Sequence, residues 1–95
     1  MIREETIEQK LVQAVKAVGG IAPKFVSPGC SGMPDRIVLL PGSKIAFVEV
    51  KAMGCKPRPS QLHRHKALRQ MGFKVFVLDD AADISPMLAK IGGEP

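Results

Sequence analysis

The 95-residue chain has no Trp, no Tyr and only four Phe. Stacking bases on aromatic platforms, the device of many sequence-reading RNA modules, is therefore a poor basis for any nucleic-acid recognition here. Its two cysteines, Cys30 and Cys55, are too few for a disulfide scaffold and are expected as free thiols of a reducing cytoplasm. With His63 and His65 they match no usual zinc ligand spacing, because neither a Cys-x-x-Cys pair nor a His-x-x-x-His pair occurs. No apolar run approaches the roughly 20 residues that cross a bilayer, so no membrane association is expected. Met1-Ile2-Arg3-Glu4-Glu5 is acidic and no apolar stretch follows it, unlike a secretory signal, and the expected location is the cytoplasm. The length excludes two conventional domains, and 1–95 is expected to form one. A chain this short buries only roughly 60–70% of its unfolded surface. A large private substrate cavity is not expected, nor is a small-molecule cofactor, and assembly with a second copy is a natural way to gain burial.

Acidic charge is also scarce where basic charge is dense. Fourteen Lys and Arg against nine Asp and Glu leave the chain at +5. Between Lys51 and Lys74 there are seven positive residues and no acid: Lys51, Lys56, Arg58, Arg64, Lys66, Arg69 and Lys74. A one-sided basic segment points to a polyanion such as nucleic acid, although a solvated basic face has the same composition. Only two acids, Asp35 and Glu49, lie in the middle of the chain.

Apolar spacing predicts the elements. Ile7, Leu11, Val15 and Val18 recur at helical intervals, with Thr6 and Gln9 as a capping box or the helix beginning a turn earlier, and Gly19-Gly20 as its stop. Ile21–Val26 reads as an extended edge segment weakened by Pro23, and 27–34 as a Gly/Pro-rich loop. Arg36–Leu40 and Lys44–Val50, separated by Pro41-Gly42-Ser43, read as a hairpin. Their apolar residues fall on both faces, which implies helices on both sides of a sheet. After a loop at 52–59, Ser60 caps a helix to Met71, Phe73–Leu78 is a strand, and Ala82–Ile91 is a last helix closed by Gly92-Gly93. The order αβββαβα defines an α/β fold with a mixed four-stranded sheet.

A hairpin centred on Gly42 sets Asp35 opposite Glu49. Directly opposed residues have Cβ atoms about 4.5–5.5 Å apart, where two carboxylates repel unless a proton or a cation lies between them. Lys51, two residues beyond Glu49, shares its face of the strand. Hard divalent cations use one or two carboxylates together with waters and phosphate oxygens, and an adjacent ammonium can orient water or stabilise charge developing on phosphorus. Beside a basic segment, the substrate this grouping suits is a phosphodiester backbone. The same residues taken singly also read as a surface ion pair.

Pro34-Asp35 followed by Glu49-Val50-Lys51 resembles the PD-(D/E)XK nuclease signature, carried on a restriction-endonuclease-like αβββαβ(α) core. Four longer stretches are similar to the VRR-NUC (virus-type replication-repair nuclease) family, closest to its stand-alone phage members. They are Lys24–Gly29, Gly32–Val38, Phe47–Lys51 and Lys56–Gln61, within a likeness that runs from about Ile7 to Leu88. The resemblance implies a Mg²⁺- or Mn²⁺-dependent DNA endonuclease. Asp35 and Glu49 match its metal ligands, with the Val50 carbonyl as a third, and Lys51 its catalytic lysine. Gln61 matches a glutamine at the start of the following helix, and Glu8 an acid on the first helix, which on its own reads equally as an exposed helix acid. One departure is Val50, where many relatives carry Leu. Ser27, Arg36, Lys56, Arg58, Arg64 and Lys66 are the expected DNA contacts, and His63 and His65 are either phosphate contacts or exposed. The implied substrate is branched duplex, a four-way junction or else a flap or splayed arm, cut by a homodimer in a bacterial host cytoplasm. A non-catalytic nucleic-acid-binding module is the alternative of another class, and RNA cleavage a further one.

Overall fold

The computed structural model describes residues 2–92. Helix α1 spans Glu4–Ala17 and buries Ile7, Leu11 and Val15 of the expected stripe, whereas Val18 caps the helix end and is exposed. It starts a turn before the Thr6–Gln9 box. The Thr6 N–H is already bonded to the Arg3 carbonyl, so Thr6 lies inside the helix and Arg3 occupies the cap position. Glu4 and Glu5 stand in the first turn, where the helix dipole favours acids.

Three strands form the sheet, in the order β1 (Arg36–Leu40), β2 (Lys44–Val50) and β3 (Val75–Leu78). β1 and β2 are antiparallel and β2 and β3 parallel. The hairpin register pairs Arg36 with Val48 and Leu40 with Lys44, as a turn centred on Gly42 requires. The expected fourth strand is not continuous. Its segment meets β1 only at two isolated bridges, Ile21 with Leu39 and Lys24 with Arg36. Between them Pro23 accepts from the Ile37 N–H at 3.1 Å but has no N–H to return, and the ladder breaks there.

Side-chain alternation along β2 separates two packing layers. Ala46, Val48 and Val50 join Val38 and the buried residues of α1 and of α3 (Ile84–Ile91) in the main core. Phe47 faces the other way, into a smaller cluster with Leu68 and Val75 beneath α2 (Pro59–Gln70). Helices thus cover both sheet faces, as the apolar strands imply. Three boundaries differ from expectation. α2 is capped by Arg58 rather than Ser60, with Pro59 in its first turn, where a missing N–H costs nothing. β3 begins at Val75 rather than Phe73. A short 3-10 turn, Ala81–Asp83, precedes α3, and the Asp80 carboxylate accepts from its Ala82 N–H at 2.9 Å. Gly92 caps α3, and Gly93 lies outside the described residues.

Candidate active site

Asp35 is the residue before β1. Extending the hairpin register by one step sets it opposite Glu49 on the face covered by α2. Its Oδ2 accepts from the Val50 N–H at 3.1 Å. The N–H groups of Phe47 and Lys51 turn the other way, to the carbonyls of Lys74 and Leu78. In an extended strand a residue's carbonyl lies on the side of its own N–H, so the Val50 carbonyl also faces the Asp35 side. Glu49 is 1% exposed. Its Oε2 lies 3.3 Å from the Lys51 ammonium and accepts from Gln61 Nε2 at 3.1 Å. Burial, then the hydrogen-bonding and charge of neighbouring Asp35, push the Glu49 carboxyl up to about 7, against the pull of Lys51.

The loop bearing Asp35 is held on both sides. Its backbone carbonyl accepts from the Phe25 N–H at 2.7 Å. Ahead of it, Arg64 on α2 donates from Nε to the Ser31 carbonyl at 3.2 Å. Gly32 has φ 79°, and a Cβ there would sit 2.4 Å from the Ser60 carbonyl oxygen. Only glycine lets this loop close against the first turn of α2.

Glu8 comes to the same end of the sheet through Arg36. Its Oε2 accepts from Arg36 Nε at 3.0 Å and lies 2.9 Å from Nη2, while Arg36 Nη1 donates to the Ala22 carbonyl at 2.9 Å. Arg36, expected on the DNA, thus directs one contact from each of its three nitrogens within the protein and fixes Glu8. Glu4, Glu8, Lys24, Phe25, Val26 and Asp35 line a cleft of about 220 Å³. Burial, then Asp35 and Glu8, raise the Glu4 carboxyl above its ordinary value. Sequence reasoning missed Glu4. Its position four residues before Glu8, on the same helix face, is the signal that points to it.

The basic segment divides by role. Lys56, Arg58 and Lys66 are exposed, and Arg64 is half-buried on the loop. Arg69 donates to the Val75 carbonyl at 2.7 Å and Lys74 to the Lys90 carbonyl at 2.9 Å, so these two brace the fold. Ser27 is half-buried, in the loop beyond the cleft. His63 is exposed, but His65, read as an exposed residue or phosphate contact, is wholly buried with Nε2 3.7 Å from Glu49 Oε1. Burial, then Arg69 and Lys51, lower its pKa. The signal for His65 is its place one helical turn after Gln61. Cys30 and Cys55 are free thiols.

Among the described residues no group of three or more His, Cys, Asp or Glu side chains is arranged to hold a metal. Mg²⁺ needs fewer, since one or two carboxylates plus waters complete its octahedron. Asp35 and Glu49 fit that demand. They stand at opposed positions of the hairpin, the Glu49 carboxyl is pushed up by burial and by Asp35, and a cation would relieve the repulsion between them.

Known proteins share this arrangement of helices and strands. No protein-family model matches the chain. A curated protein of Acyrthosiphon pisum secondary endosymbiont phage 1, named "Putative nuclease p44", is 53% identical over 91 residues, covering 96% of this chain and 97% of its own. A solved structure described as a VRR_NUC domain aligns with a TM-score of 0.84 at 32% identity, over 93% of this chain and 96% of that one. The chain belongs to the VRR-NUC family of nucleases.

Proposed function

We propose that the protein is a divalent-metal-dependent endonuclease of PD-(D/E)XK type that hydrolyses DNA phosphodiester bonds at branched duplexes, foremost at four-way junctions. The observation that carries this reading is the meeting of Asp35, Glu49 and Lys51 on one sheet face, with Glu49 buried. Asp35, Glu49 and the Val50 carbonyl would hold Mg²⁺ or Mn²⁺, which supplies an acidified water and polarises a phosphoryl oxygen. Lys51, 3.3 Å from Glu49, would orient an attacking water and balance charge developing on the phosphorus oxygens. Gln61 fixes the Glu49 carboxylate, and Glu8, held by Arg36, stands at the mouth of the cleft with Glu4.

Lys56, Arg58 and Lys66, with Arg64 and Ser27 nearer the loop, supply backbone contacts. Such contacts position a duplex without reading its sequence, which favours selection by DNA structure. A homodimer suits a symmetric junction. Ile21, Leu39 and Ile45 support one, because they are cross-strand neighbours on one sheet face and all are exposed. The phage relative fits a bacterial host cytoplasm as the place of action. Among the described residues no helix is long and apolar enough to cross a membrane.

The test is one panel of end-labelled substrates with Mn²⁺: four-way junction, flap, splayed arm, nicked duplex, linear duplex and RNA duplex. The junction is expected to be cut fastest, with all cleavage lost in EDTA and a dimer seen by light scattering. Faster flap cutting would replace the junction as substrate, and binding without any cleavage would replace the enzyme by a binding module.

A further inference from the structure

Three buried polar atoms lack a hydrogen-bond partner among the described residues: Oε1 of Glu49 and both ring nitrogens of His65. Leaving such atoms unpaired in an interior is costly. Here two of them face each other, with His65 Nε2 3.7 Å from Glu49 Oε1 and the two side chains 0% and 1% exposed. The separation exceeds hydrogen-bond length, and closing it to about 2.9 Å takes a shift of roughly 0.8 Å. α2 brings the pair together. Gln61 and His65 stand one turn apart, so both are aimed at Glu49. The two oxygens of Glu49 then have different surroundings. Oε2 meets Gln61 and Lys51, and Lys51 retains access to solvent, whereas Oε1 is shut into the interior opposite His65.

We infer that His65 is a positioning residue of the nuclease site: its Nε2–H donates to Glu49 Oε1 and locks the carboxylate plane, so that Oε2 is presented to the side of Lys51. The inference rests on the nuclease reading and adds to it a residue that touches neither substrate nor metal. Ligating carboxylates are commonly held this way by a hydrogen bond from behind, and removal of such a partner costs roughly 10–100-fold in metal affinity or activity. An apolar side chain of similar size would fill the space and leave Oε1 without a partner.

Two measurements test it. Nitrogen-15 NMR of the wild-type imidazole reads which ring nitrogen carries the proton, and the Nε2–H form is expected. Titration of free Mn²⁺ by electron paramagnetic resonance reads metal affinity without turnover. His65→Leu is expected to weaken Mn²⁺ binding roughly 10–100-fold, and His65→Gln, which keeps an amide donor near the position of Nε2, to restore most of it. A proton on Nδ1 with Nε2 bare overturns the inference, as does a folded His65→Leu that binds Mn²⁺ as tightly as wild type. If His65→Leu does not fold, the wild-type tautomer and the affinity of His65→Gln decide. Failure of the nuclease reading looks different: wild type then binds no Mn²⁺ and cuts no DNA, and both ideas fall.

Discussion

Gln61 donates from Nε2 to Glu49 Oε2 at 3.1 Å, and its own Oε1 accepts from the Arg58 N–H at 2.8 Å. One side chain thereby satisfies an otherwise open donor at the start of α2 and holds the central carboxylate of the site. The helix start and the proposed active site are coupled through it.

Substitution can separate these two duties. Gln61→Ala removes both bonds and is expected to cost about 1–3 kcal/mol, a fall in Tm of roughly 4–8 °C per kcal/mol for a chain of this size. Gln61→Glu keeps an acceptor for Arg58 but replaces the donor to Glu49 with a second carboxylate. It is expected to begin α2 normally and still lose cleavage. Circular-dichroism melts beside a cleavage assay read the two effects apart, and normal cleavage by Gln61→Glu would remove the bond to Glu49 from the mechanism.

Glu49 predicts a pH dependence of stability. Its carboxyl rises from the ordinary 4.5 to about 7 in the folded protein, chiefly through burial and then through Asp35. Between those values the folded state binds the proton that the unfolded state has released. The contribution of this group to stability therefore falls as pH rises from about 4.5 to about 7 and is constant outside that window. Metal-free protein should melt at lower temperature at pH 8 than at pH 5. Glu49→Gln should flatten that decline and melt above wild type at pH 8, while losing cleavage. Scanning calorimetry in EDTA measures this, and a decline equally steep in Glu49→Gln would assign it to other groups.

The division of the basic segment predicts which residues set the salt dependence of DNA binding. Each phosphate contact contributes about 0.9 to the slope of log K against log salt on duplex DNA. Lys56→Ala, Arg58→Ala and Lys66→Ala are each expected to lower that slope by about 1. Arg69→Ala and Lys74→Ala should leave it unchanged and lower Tm instead, because their donors hold the Val75 and Lys90 carbonyls. Fluorescence anisotropy across a salt series distinguishes the two groups.

Much of this was legible in the sequence wherever a local rule had one solution. The Pro41-Gly42-Ser43 turn set the hairpin register, and with it the approach of Asp35 to Glu49. Pro23 was recognisable as a break, though not that it leaves two bridges in place of a strand. What stayed hidden depends on tertiary contacts. Arg36 has the composition of a phosphate ligand, yet Glu8 and the Ala22 carbonyl claim it. His65 has the composition of a surface residue, yet α2 turns it beneath Glu49. Ser60 is the better cap by preference, but Pro59 already fits the first turn, so the cap moves back to Arg58.

The most direct measurement is single-turnover cleavage of a labelled four-way junction with Mn²⁺ by wild type, Asp35→Ala and Lys51→Ala, each checked for folding and junction binding. Loss of a group that stabilises developing charge typically costs about 100–1000-fold. Both variants are therefore expected to bind the junction and cut it at least about 100-fold more slowly than wild type. Cleavage at the wild-type rate by either folded variant would contradict the assignment of Asp35, Glu49 and Lys51 to one phosphodiester-cutting centre.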